Sequence, residues 1–166
     1  MMKRKIPAPT IAVIFLLITL LTSCGKSSFY DRSADICEKG WEEDSVKIFD
    51  DVVIDDTVSK YNFYINVRNT TDYRFSNLYV FLHTVMPDGR STSDTLELIL
   101  ADGKGKWLGN GFGHIRDNRI LIRKGLRFPR KGVYHFGIQQ AMRQKDHILE
   151  EIKSIGIRIE KIKTEK

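Results

Sequence analysis

The sequence predicts an all-β chain: an antiparallel β-sandwich of about seven or eight strands with one short helix. Three observations predict it. From Val46 onward apolar and polar residues alternate with a period of two. Turn-forming clusters such as Asn69-Thr70-Thr71-Asp72 and Pro87-Asp88-Gly89 separate the alternating runs. Helical character is confined to Gln139–Lys153, where Met142, Leu149 and Ile152 could cover one end of a sheet. A small closed barrel is the alternative architecture. No internal repeat points to a solenoid or propeller.

Each element has its own signature. Phe49, Val52 and Val53 place strand or bridge structure near residues 45–56, broken by paired aspartates. Tyr61, Phe63, Ile65 and Val67 alternate with Asn62, Tyr64, Asn66 and Arg68, the pattern of a half-buried strand. Asn77–Met86 is a second long strand, closed by the Pro87-Asp88-Gly89 turn, and Thr92–Leu100 is a third. Arg119–Phe128 follows with Ile120 and Ile122 opposite Leu121 and Arg123, then Gly132–Ile138. Ser154–Ile162 sets Ile155, Ile157 and Ile159 on one face.

The amino terminus carries a different signal. Lys3, Arg4 and Lys5 precede an apolar run from Ile11 to Leu21, followed by Leu21-Thr22-Ser23-Cys24. The run is too short for the roughly 20 residues of a bilayer-spanning helix and fits a secretory signal. Leu-Thr-Ser-Cys resembles the bacterial lipobox, in which the cysteine thiolate becomes a thioether to diacylglycerol and cleavage falls just before it. An ordinary signal peptide with a nearby cysteine is the competing reading. The expected organisation is a lipoprotein signal peptide at 1–23, a lipid-anchored tether at 24–39 and the β-sandwich at 40–166. Cys24 is the predicted lipidation site, and the membrane the predicted partner at this end.

Without residues 1–23 the chain keeps 24 basic against 21 acidic residues. That balance gives no argument for nucleic acid as a partner. With Cys24 committed to the anchor, Cys37 has no intramolecular partner, and a shielded thiol is expected there.

No catalytic constellation emerges. His83, His114, His135 and His147 are scattered and lack metal-site spacing, and there is no Gly-x-Ser-x-Gly elbow. Asp50-Asp51 and Asp55-Asp56 lack the ligand spacing of a calcium loop. No metal or cofactor is expected. The segment 100–113 stands apart, with five glycines within eleven residues around Trp107. A phosphate loop requires Ser or Thr after Gly-Lys, and here Trp107 follows Gly105-Lys106. Two readings stay open: Trp107 plugs one end of the sandwich, or Trp107, Gly109 and Gly111 form a partner-docking loop.

Several stretches in order complete a pattern. They are the lipobox, Gly40-Trp41-x-x-Asp44-Ser45, Arg68-Asn69, Ser76-Asn77-Leu78 and Asp94-Thr95. Leu100-Ala101-Asp102 then leads to Gly105-Lys106-Trp107-Leu108-Gly109, followed by Phe128-Pro129-x-x-Gly132-x-Tyr134, Gln140-x-Met142-Arg143 and Ile155–Glu160. The chain resembles the gliding-motility lipoprotein GldH family of Bacteroidetes. That resemblance implies an outer-membrane lipoprotein without enzymatic activity, an accessory or scaffold of the gliding and linked type IX secretion machinery, with envelope proteins as partners. Only Cys24 carries over with a defined chemical role. Gly25-Lys26-Ser27-Ser28 lacks the acidic cluster resembling this phylum's surface-export signal, which favours the periplasmic face. The alternative is a periplasmic module binding glycan or peptidoglycan through Trp41, Trp107, Tyr30 and Tyr79.

Overall fold

A computed structural model describes residues 29–162. Ten strands are present, in chain order β1 (Tyr30–Asp35), β2 (Trp41–Glu42), β3 (Lys47–Ile54), β4 (Tyr61–Thr70), β5 (Asn77–Val85), β6 (Ser91–Ile99), β7 (Ile115–Leu126), β8 (Gly132–Gln140), β9 (Ile148–Leu149) and β10 (Ile152–Lys161). Two four-stranded sheets form, in the orders β1-β10-β4-β7 and β3-β8-β5-β6, and β2 pairs with β9. Every pairing is antiparallel. The two larger sheets are separate in their hydrogen bonding, so the closed barrel is excluded for them.

The alternation read from the sequence explains the layering. In the first sheet Phe63, Ile65 and Val67 of β4 and Ile155, Ile157 and Ile159 of β10 are buried. In the second, Leu78 and Val80 of β5, Leu98 of β6 and Tyr134, Phe136 and Ile138 of β8 are buried too. All belong to one hydrophobic cluster. Phe63 and Phe136 meet from opposite sheets with ring centroids 5.3 Å apart. Burying each such side chain contributes about 1.5–3 kcal/mol.

The expected helix is absent among the described residues. Gln139 and Gln140 finish β8, and Ile148–Leu149 is β9. His147 and Glu151 take left-handed backbone angles, φ 58° and 68°, which a right-handed helix does not accommodate. Tertiary contacts hold the segment instead. The Ala141 amide donates to the Tyr79 carbonyl at 2.8 Å, and the Met142 amide to Oε1 of Gln140 at 2.8 Å. Met142, Leu149 and Ile152 are all buried, with Leu149 set opposite Trp41 and Ile152 opposite Asn69.

Two further positions differ from expectation. β1 falls within 24–39, the stretch expected as tether, and pairs along its length with β10. Cys37 is exposed rather than shielded, its Sγ 3.0 Å from the Gly40 carbonyl. The aspartate pairs have local structural work. Asp51 sits at the β3 bulge with φ 61°, and Asp56 closes a turn by accepting from the Val58 and Ser59 amides and from Lys161. Those donors hold the Asp56 carboxyl well below the usual carboxylate range.

Candidate functional site: the glycine-rich loop

The link between β6 and β7 is a tightly specified loop. Leu100 and Ala101 are buried, and their amides donate to the Ser76 carbonyl at 2.8 and 2.9 Å. Asp102 then organises a turn: its Oδ1 accepts from the Lys104 and Lys106 amides, both at 2.9 Å. Gly105, with φ 78°, supplies the left-handed residue that the turn needs. Trp107 bridges back to Ala101 and packs half-buried against the core. It is the plug that its composition suggested.

The second half of the loop is pinned from beneath. Asn110 and Asp117 exchange backbone hydrogen bonds of 3.0 and 2.6 Å. Asn118, buried in β7, donates to the Val67 carbonyl at 3.2 Å and to Oδ1 of Asn69 at 2.9 Å. Gly109 lies against that amide: a Cβ there would stand 2.7 Å from Asn118 Oδ1. At Gly111 a Cβ would stand 2.0 Å from the Ile115 carbonyl oxygen. Both glycines therefore have a packing reason, the close approach of the loop to β7. They shape the loop without offering side-chain contacts.

Besides the exposed Lys104, Lys106, Asn110 and His114, the loop presents two apolar side chains. Phe112 is 97% exposed and Leu108 56%. The turn beneath Phe112 is fixed by Nη1 of Arg116, which donates to the Gly113 and Ile115 carbonyls at 2.8 and 2.7 Å. The Thr71 amide donates to the His114 carbonyl at 2.7 Å. Sequence reasoning singled out Trp107, Gly109 and Gly111 and missed Phe112. The available signal was a bulky aromatic between Gly111 and Gly113, where neither neighbour can cover it.

The remaining groups do not converge on this loop. His83 faces Gln139 at 3.2 Å, His135 faces Asp50 at 2.9 Å, and His147 contacts Glu43. That contact with Glu43 raises the His147 pKa. The proposed aromatic platform is dispersed as well. Trp41 is buried with its indole nitrogen donating to the Ser45 carbonyl at 2.7 Å, and Tyr30 and Tyr79 stand in different sheets. Cys24, the predicted lipidation site, lies outside the described residues.

The profile of the GldH lipoprotein family matches residues 28–159, which takes in both sheets and the loop. The chain belongs to the GldH lipoprotein family. It is 37% identical over 157 residues to the gliding motility lipoprotein GldH homolog of Christiangramia forsetii, covering 92% of this chain and 95% of that protein. It is 35% identical over 153 residues to the gliding motility lipoprotein GldH of Flavobacterium johnsoniae, covering 89% and 94%. As a GldH-family lipoprotein the chain is linked by its relatives to gliding motility and to membrane anchoring in the cell envelope.

Proposed function

We propose that this GldH-family protein is a non-catalytic, lipid-anchored β-sandwich that docks a partner protein of the envelope machinery through the Phe112 loop. The anchor is the thioether at Cys24, the membrane is the outer membrane, and the domain faces the periplasm. The supporting observation is Phe112 itself, almost fully exposed on a loop that hydrogen bonds and close glycine packing hold in place. A preorganised aromatic loses little entropy on binding and suits a contact hot spot.

Register supports a protein partner over the membrane as occupant. Tyr30, Ile159, Phe63 and Arg123 form one row across the first sheet, and Asp35, Ser154, Arg68 and Asp117 another. The first row adjoins Phe29, five residues after Cys24, a span of at most about 18 Å. The second row stands about 17 Å further along the strands, and the Phe112 loop projects beyond it. The loop thus stands at the end of the sheet opposite Phe29.

Photo-crosslinking in intact cells tests this. A benzophenone amino acid at Phe112 is expected to give a discrete protein adduct. The same probe at Val58, 81% exposed in the turn before β4 at the anchor-side end, is expected not to give it. Lipid adducts at Phe112, or the same adducts from both positions, would overturn the assignment.

A further inference from the structure

The outer face of the first sheet is polar and has a depression in it. Directly opposed residues in antiparallel strands share a face. Across β1, β10, β4 and β7 the central row is Ser33, Gly156, Asn66 and Arg119. The row on the anchor side is Asp31, Arg158, Tyr64 and Leu121, and the row toward the loop is Asp35, Ser154, Arg68 and Asp117. Gly156 leaves the centre of this surface without a side chain. A Cβ there would meet Ser33 Oγ at 2.5 Å and the Arg32 carbonyl at 2.6 Å, so β1 packs closely over Gly156 and Ser33 takes its place at the surface. Ser33, Asn66, Arg68, Asp117, Arg119 and Ser154 line a cavity of about 590 Å³, and Asn110 of the glycine-rich loop completes its rim. That volume is within the roughly 300–1,000 Å³ of small-molecule sites.

The walls are organised before anything binds. Nε of Arg68 pairs with Asp117 at 2.7 Å, which raises the Arg68 pKa. Arg158 pairs with Asp31 and, at 2.7 Å, with Glu160. Against this satisfied frame one group stands out. The side-chain oxygen of Asn66, in the centre of the depression, is buried and has no hydrogen-bond partner among the described residues. Leaving a buried polar group unpaired costs about 1–3 kcal/mol. Turning the Asn66 amide, whose nitrogen reaches Asp31 Oδ1 only at 3.4 Å, would bring that oxygen to a ligand donor and recover the loss.

We infer that this depression binds a short neutral oligosaccharide. Its acidic and basic side chains nearly cancel, and the rim pairs are already made, so the depression carries little net charge to select an ionic ligand. Asn66, Ser33, Ser154 and Asn110 offer amide and hydroxyl groups, and Asp35 and Arg119 stand outside both pairs. Such groups match vicinal sugar hydroxyls, each of which donates and accepts. Tyr64 and the 44% exposed Leu121 in the adjoining row give an apolar surface for a pyranose ring face. Phe112 does not line the depression, though Asn110 of the same loop does, so Phe112→Ser tests partner docking and Arg119→Ala tests sugar binding.

The test is titration of the full mature lipoprotein, in a zwitterionic detergent that carries no sugar, with tri-N-acetylchitotriose, cellotriose and maltotriose. Calorimetry and saturation-transfer NMR read the binding. Saturable binding of at least one trisaccharide is expected, weakened at least about tenfold in Asn66→Leu and in Arg119→Ala. Arg119 is exposed, so Arg119→Ala decides the matter if Asn66→Leu does not fold. No saturable binding of any of the three by the wild type, or full retention of binding in a folded Arg119→Ala, would overturn the inference.

Discussion

Replacing Gly111 by alanine is expected to loosen the glycine-rich loop or to distort β7 beside it. The added Cβ would stand 2.0 Å from the Ile115 carbonyl oxygen and 3.0 Å from its carbon. That is about 1 Å inside any tolerable contact, and both atoms are backbone. The loop has two ways to respond. Forcing the methyl in by distorting β7 costs roughly 1–3 kcal/mol. Peeling residues 110–113 away breaks the paired Asn110–Asp117 hydrogen bonds, at roughly 1 kcal/mol each. Either way the cost is about 2 kcal/mol. Amide exchange at Asn110 and Asp117 should accelerate about 30-fold if the loop opens locally. If β7 distorts instead, Tm should fall by about 5–10 °C. Gly103→Ala is the matched control: its Cβ would have nothing within 4 Å, and it should stay within about 0.5 kcal/mol of wild type. Equal exchange rates and equal Tm for the two variants would refute the claim that Gly111 is fixed by close packing.

Four further outcomes are expected. Phe112→Ser should leave Tm within about 1 °C, because the ring is 97% exposed, yet abolish the crosslinked adduct formed from a probe at Leu108. Ile157→Ala, at the centre of β10 and fully buried, should lower stability by about 2–5 kcal/mol in denaturant unfolding. Glu43 raises the His147 pKa, so their contact stabilises fully below the unfolded value of about 6.5 and is lost as pH rises through the higher folded value. Melting curves should therefore show wild type above Glu43→Gln near pH 6 and the gap closed near pH 9. Cys24→Ser should give unlipidated, uncleaved precursor by intact-mass spectrometry.

The strands were legible because burial in a sheet with one wet face repeats every two residues, a rule that β4 follows from Tyr61 to Asn69 and that Ile155, Ile157 and Ile159 follow in β10. Gln139–Lys153 misled because Met142, Leu149 and Ile152 fall at spacings that also suit a helical face. What decides against a helix there is non-local. Thr70 binds Glu151 through both its amide and its hydroxyl, and Glu43 binds the His147 carbonyl. Those contacts fix left-handed residues that no local pattern signals. β1 was hidden for the opposite reason. Tyr30-Asp31-Arg32-Ser33-Ala34-Asp35 has little apolar content, since as an edge strand it buries one face only lightly.

The loop and the polar depression differ in the same way. Composition identified the loop, because five glycines around a tryptophan are visible in one dimension. It drew attention to Trp107, which packs against the core, and not to Phe112, which stands outside it. The depression has no sequence signature at all. It depends on Ser33, Gly156, Asn66 and Arg119 meeting across four strands, from positions as far apart as 33 and 156. A one-residue slip of β10 against β4 would replace Gly156 at the centre with an isoleucine and turn Asn66's partner row over. The same isoleucines that anchor β10 in the core therefore set the register that opens the depression on the other face. Ile155→Asn, which removes the inward preference at one of those positions, should weaken sugar binding even in molecules that remain folded. Binding equal to wild type in the folded fraction would show that the depression does not depend on that register.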